Sequence, residues 1–123
     1  ELAQTLGCQI ADEASLYGAM RQLNDRGAEW VVVTNGVDDV WVTSQNDAYR
    51  VTPPRVAVVN PIGCGDCLAA GVAYGKQAGW PPLEAIRFGV AAAVENVGTL
   101  LPSRLKLDAV LARAQVIGIQ KVN

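Results

Sequence analysis

The feature that most constrains this chain is the passage from Val56 to Lys76. Val56-Ala57-Val58-Val59 reads as a strand, and Asn60-Pro61-Ile62-Gly63-Cys64-Gly65-Asp66 interrupts it. From Cys67 to Lys76 the residues are small or apolar, which predicts a helix buried nearly all round. Two glycines at the mouth of that helix let the backbone approach a ligand closely and take positive φ. First-turn N–H groups are unpaired and point outward, and the helix dipole adds partial positive charge. Such a mouth binds anions and stabilises charge developing on a transferring phosphoryl group. Asp66, in the same turn, is expected to stay ionised, held by those donors, as an acceptor for a hydroxyl proton. The plainer alternative is a tight strand-to-helix turn with Asp66 as a helix cap. Spacing alone leaves both open, and no Gly-Lys-Ser/Thr follows that would make a Walker A loop.

The rest of the chain sets the architecture. Asp12 is a candidate N-cap, with Leu16, Met20 and Leu23 at helical spacing and Gly27 at the C′ position, predicting a helix over roughly 12–26. Trp30-Val31-Val32-Val33-Thr34 follows as a β-branched run, the pattern of a strand buried on both faces of a parallel sheet. Helix then buried strand makes α/β the leading class. Val40–Thr43 and Ala48–Val51 flank Ser44-Gln45-Asn46-Asp47 and read as an edge hairpin. Pro82 opens a further helix reaching about Val94, and a last helix is predicted near Leu107–Gln115.

Composition narrows the function classes. The chain has 123 residues, half of them apolar, enough for one domain or a piece of one and too apolar for disorder. No apolar run approaches the ~20 residues that span a bilayer. A formal charge of −2 gives no electrostatic footprint for nucleic acid. The absence of His removes every triad, zinc site and shuttle built on imidazole. Three Cys argue against a closed disulfide framework and fit a reducing, cytoplasmic compartment. Glu1 opens what already reads as a helix, without Met, so the chain is read as part of a longer polypeptide.

Asn60-Pro61-Ile62-Gly63-Cys64-Gly65-Asp66-Cys67, followed by Ala70-Gly71, resembles the second signature of the ribokinase-like (pfkB) carbohydrate kinases. Their usual form is Asp-Thr-Thr-Gly-Ala-Gly-Asp, and Asn-Pro-Val-Gly-Ser-Gly-Asp in kinases of phosphorylated sugars. The second form is nearer, which leans towards tagatose-6-phosphate kinase and 1-phosphofructokinase. Val33-Thr34-Asn35-Gly36 resembles the family's strand-ending phosphate-contact motif, and Arg87 to Asn96 its adenine-pocket helix. Glu1-Leu2 fits the end of its Asn-x-x-Glu motif.

The resemblance implies a ribokinase-like α/β fold, a mostly parallel sheet flanked by helices with an edge β-hairpin, of which residues 1–123 are the nucleotide-binding carboxyl-terminal part. The amino-terminal sugar-binding and lid part would be absent. It implies transfer of a phosphoryl group from ATP, with Mg²⁺, to a sugar or sugar-phosphate hydroxyl. Asp66 is implied as general base, and the backbone of Gly63, Cys64 and Gly65 as anion hole. Thr34 and Gly36 would touch nucleotide phosphates, Val90, Val94 and Asn96 would lie near adenine, and Glu1 would help order Mg²⁺ through water. A homodimer of the full-length protein is implied, with no nucleic-acid or membrane partner. Asp39 stands where the family often has a second glycine, and Asn60 where ribokinases have a cation-site Asp.

Two other readings remain. Cys64-Gly65-Asp66-Cys67 is formally C-x-x-C at a helix start, where thiol pKa values fall. No second Cys pair or His completes a zinc site. The chain could also be a nucleotide-binding fragment that transfers nothing.

Overall fold

The computed structural model describes residues 1–122. The chain forms two compact units, one built from Glu1–Val51 and the chain from Ile119 onward, the other from Thr52–Gly118.

In the first unit, α1 (Leu2–Leu6) precedes α2 (Glu13–Asp25), then strands β1 (Trp30–Val33), β2 (Val40–Ser44) and β3 (Ala48–Thr52). The final strand, β4 (Gly118–Lys121), completes a four-stranded sheet in the order β1-β2-β3-β4. Helix α2 begins where its sequence dictates. The Asp12 carboxylate accepts from the Ser15 amide at 2.7 Å, and the Ser15 hydroxyl accepts from the Asp12 amide at 3.1 Å, a reciprocal cap. Its apolar stripe, Leu16 and Met20, packs with Val31 against Leu23, Val33 and Trp41. One polar pair is buried: the Thr43 hydroxyl donates to Asn24 Oδ1 at 2.6 Å, and Asn24 Nδ2 to the Ala28 carbonyl at 2.8 Å. The Arg50 guanidinium on β3 pairs with Glu13 at the start of α2 and lies 3.6 Å from Asp39.

The class is as expected, helices with a sheet, but the strand pairing differs in this stretch. β1 runs antiparallel to β2, and β2 to β3, where a mostly parallel sheet with β1 buried on both faces was expected. The reason is connection length. Only the turn from Thr34 to Asp39 joins β1 to β2, whereas parallel neighbours need a crossover of a dozen or more residues. The predicted hairpin is present, pairing Val40 with Val51 and Thr43 with Ala48.

The second unit is helical, with α3 (Cys64–Gln77), α4 (Pro82–Val97) and α5 (Leu107–Ala114). Pro82 occupies the first turn of α4 as predicted. The mostly buried helix is α4, not α3. Ten of the residues of α4 are buried, from Ala85 to Val97, whereas only Cys67, Gly71 and Gly75 of α3 are. Those three lie on one face, so α3 uses its small residues to bring the backbones close. A Cβ on Gly71 would stand 2.6 Å from Gly89 Cα, and one on Gly75 2.8 Å from Ala85 Cα. Tyr74, Trp80 and Phe88 form an aromatic cluster at the far end, with centroids 5.3–5.7 Å apart. The Arg113 guanidinium bonds Glu95 at 2.7 Å and holds α5 to α4.

Val56 to Val59 is not a strand. Instead the Val59 and Asn60 amides both donate to the Val97 carbonyl, at 2.8 and 3.1 Å, tying this extended segment to the end of α4. Among the described residues no helix is long and apolar enough to cross a membrane.

Candidate functional site

Asn60 shapes the approach to α3. Its side-chain oxygen accepts from the Ile62 amide at 3.0 Å, and its Nδ2 donates to the Leu100 carbonyl at 3.0 Å. Gly63 is the N-cap of α3 at φ 81°, a left-handed conformation that favours glycine. A Cβ there would touch Pro102 and Ser103, each at 3.4 Å. Gly65 has ordinary φ and open space around its missing Cβ.

Three amides of the turn differ in what they do. The Cys64 amide donates to the Pro61 carbonyl at 3.3 Å, a long bond, so it is already engaged. The amides of Gly65 and Asp66 have no acceptor among the described residues. The Asp66 side chain is exposed in the first turn, and among the described residues nothing donates to its carboxylate. The expectation that first-turn amides hold this carboxylate is therefore corrected, as is its reading as a cap: Asp66 lies inside the helix, facing solvent, and Gly63 is the cap. What remains is an open mouth where the amides of Gly63, Gly65 and Asp66 have no acceptor among the described residues, with partial positive charge and one free acid.

The two thiols are packed differently. Cys67 is 5% exposed, its sulfur 3.8 Å from the Ser103 hydroxyl, while Cys64 is half-buried against Asn96. Both are free. A buried thiol is shielded from exchange partners, so the dithiol reading gains nothing from this geometry.

Val90, Val94 and Asn96, expected near adenine, lie on α4. They are 2%, 9% and 0% exposed. The two valines pack inside the helical unit. Asn96 spends its amide on protein: Nδ2 donates to the Ile62 carbonyl at 2.9 Å and contacts Cys64 Sγ at 3.3 Å, while Oδ1 accepts from the Ser103 amide at 2.7 Å. The sequence reading missed Ser103, which adopts φ 63° to make that contact. A lone Ser after Pro carries no signal of it.

In the other unit, Thr34 follows the last residue of β1 and is exposed, and Gly36 takes φ 58° in the turn closed by the Asp38 amide bonding the Asn35 carbonyl at 3.1 Å. Asp39, in the place of a second glycine, serves the Arg50 ion pair. Glu1 is exposed before α1 and lines an open hollow with Leu2, Asp12, Thr34 and Trp41. Among the described residues no three ligating side chains gather into a metal cluster. Mg²⁺ in phosphoryl-transfer sites takes one or two carboxylates and completes its shell with phosphate oxygens and water, which a single exposed Glu1 fits.

The architecture is shared with solved structures. A Staphylococcus aureus protein assigned as a phosphofructokinase superposes at a TM-score of 0.85 and 24% identity, over 99% of this chain and 39% of its own. Phosphofructokinase-2 from Escherichia coli, solved with potassium, gives 0.85 at 21% identity, over 94% and 38%. A Thermotoga maritima protein assigned as a 1-phosphofructokinase gives 0.81 at 18%, over 93% and 36%. The fold is thus shared with these structures, and the chain spans less than two fifths of their length. The family model for pfkB carbohydrate kinases matches residues 1–105, and the chain belongs to that family.

Proposed function

We propose that this chain is the nucleotide-side, carboxyl-terminal part of an enzyme that transfers the γ-phosphoryl group of ATP to a hydroxyl of a sugar or sugar phosphate. The observation that carries it is the mouth of α3, where the free amides of Gly65 and Asp66 and the unpartnered Asp66 carboxylate share one turn. Asp66 takes the proton of the acceptor hydroxyl as its oxygen bonds to phosphorus and the bond to the leaving ADP oxygen breaks. The amides of Gly63, Gly65 and Asp66 receive the charge on the transferring group, and Cys64 joins them by releasing Pro61. Thr34 and Gly36, exposed at the end of β1, serve the nucleotide phosphates. Mg²⁺ neutralises phosphate charge when bound, and Glu1 is the residue of this chain that would help to hold it.

In the full-length enzyme, Asp66→Asn is expected to lower kcat by ~10²–10⁴ while leaving the KM for ATP within about threefold, the usual scale for losing a positioned base. Near-normal turnover in a coupled ADP-release assay would remove Asp66 from this role.

A further inference from the structure

Asn96 is the deepest polar group beside the turn, and its connections define a task. Its amide orientation is fixed by its partners: the Ile62 carbonyl can only accept, so Nδ2 faces it at 2.9 Å, and the Ser103 amide can only donate, so Oδ1 faces it at 2.7 Å. The Ile62–Gly63 peptide is trans, as the chain has no cis bonds, so its C=O and N–H point in opposite directions. Drawing the Ile62 carbonyl inward onto buried Asn96 therefore turns the Gly63 N–H away from Asn96, and that amide has no acceptor among the described residues. The same amide nitrogen contacts Cys64 Sγ at 3.3 Å, and Asn96's own carbonyl accepts from the Thr99 hydroxyl at 2.8 Å. One side chain thus fixes the Gly63 peptide, the first residue of α3 and the loop that backs them.

We infer that Asn96 is a positioning residue for phosphoryl transfer, aiming the Gly63 amide at the charge that develops on the transferring group. The inference rests on the proposed role of the turn. It assigns Asn96 no contact with nucleotide or sugar. Its effect falls on the transition state, so it changes kcat rather than KM.

The test uses Asn96→Asp in the full-length enzyme. Asp keeps the shape and the acceptor for Ser103 but replaces the donor to Ile62 with an oxygen, which repels that carbonyl and frees the peptide to rotate. Misaiming one donor is expected to lower kcat roughly 10- to 100-fold, with both KM values within about twofold and an unchanged far-UV spectrum. Asn96→Ser, whose hydroxyl can still donate, is expected to fall between the two. If Asn96→Asp folds and keeps the parent kcat, or if KM rises while kcat holds, the inference is overturned. If neither variant folds, Asn96 is structural only and the inference also fails. Asp66→Asn run alongside separates the two claims: lost turnover there with normal turnover in Asn96→Asp overturns the positioning role alone, whereas normal turnover in Asp66→Asn overturns the reading beneath it.

Discussion

Replacing Gly71 by alanine tests whether α3 and α4 are held by backbone approach. The added Cβ would stand 2.6 Å from Gly89 Cα, 3.1 Å from Gly89 N and 3.3 Å from Ala92 Cβ. Carbon atoms in contact prefer about 3.5–4.0 Å, so the helices must part by about 1 Å, because the obstacle is backbone and has no rotamer to change. Parting there also loosens the next turn, where Gly75 faces Ala85 and the Trp80 ring. Overpacking of this kind costs roughly 1–3 kcal/mol, and the coupled second contact places the cost near the top of that range. Alanine returns about 1 kcal/mol of helix propensity, which leaves a net destabilisation of about 2 kcal/mol. Gly18 in α2 is the control. It is exposed with no heavy atom within 4 Å of its would-be Cβ, so Gly18→Ala is expected to stabilise by about 0.5–1 kcal/mol. Urea unfolding of the full-length protein by far-UV circular dichroism reads both. A Gly71→Ala midpoint equal to or above the parent's, beside a raised Gly18→Ala midpoint, refutes the close-approach argument.

Thr43→Val removes the donor to Asn24 Oδ1 and leaves a buried oxygen unpaired, which should cost about 1–3 kcal/mol; an unmoved urea midpoint would contradict it. Acidification should weaken the first unit. The Lys121 ammonium, 2.6 Å away, holds the Asp47 carboxyl below its ordinary range, and the Ser15 amide does the same for Asp12. Both folded values are lowered, so this stabilisation is complete above the unfolded carboxylate range and is lost as pH falls through the folded values. Melting midpoints measured from pH 6 to 2 should fall less steeply in Asp12→Asn/Asp47→Asn than in the parent, and parallel curves would deny the two groups that role.

What the sequence disclosed follows from the range of the interactions involved. The start of α2 was legible because Asp12 and Ser15 satisfy each other within one turn, and the β2–β3 hairpin because its polar loop lies between two strand-like runs. The Gly63–Asp66 turn was legible because glycine tolerance of positive φ is a local property. Burial was not. Small residues in α3 read as a helix enclosed on all sides, but smallness there serves one close contact, and its alanines at 69 and 70 face out. Parallel pairing for β1 was inferred from composition, which reports burial and not direction; direction is set by the short link to β2. The link made by Asn96 was hidden for the same reason, since no pattern within its helix marks a side chain whose partners are the Ile62 carbonyl and the Ser103 amide.

The two principal findings in the helical unit are one arrangement. α3 and α4 run in opposite directions after a short connection, and their small-residue contacts fix the register: Gly75 meets Ala85, and one turn on, Gly71 meets Gly89. Seven residues further in the same register, towards the start of α3 and the end of α4, Cys64 comes opposite Asn96, where the sulfur and the amide nitrogen lie 3.3 Å apart. Bulk at Gly71 would therefore shift the end of α4 relative to the mouth of α3, stretching the bond from Asn96 to the Ile62 carbonyl. Apolar packing alone could hold the helices at many small offsets. A buried amide with a fixed donor side and a fixed acceptor side tolerates only the offset that satisfies both, since leaving either partner unmade costs roughly 1–3 kcal/mol. Close glycine packing sets the distance between the helices, and Asn96 converts that distance into a defined direction for the peptide at the mouth of α3.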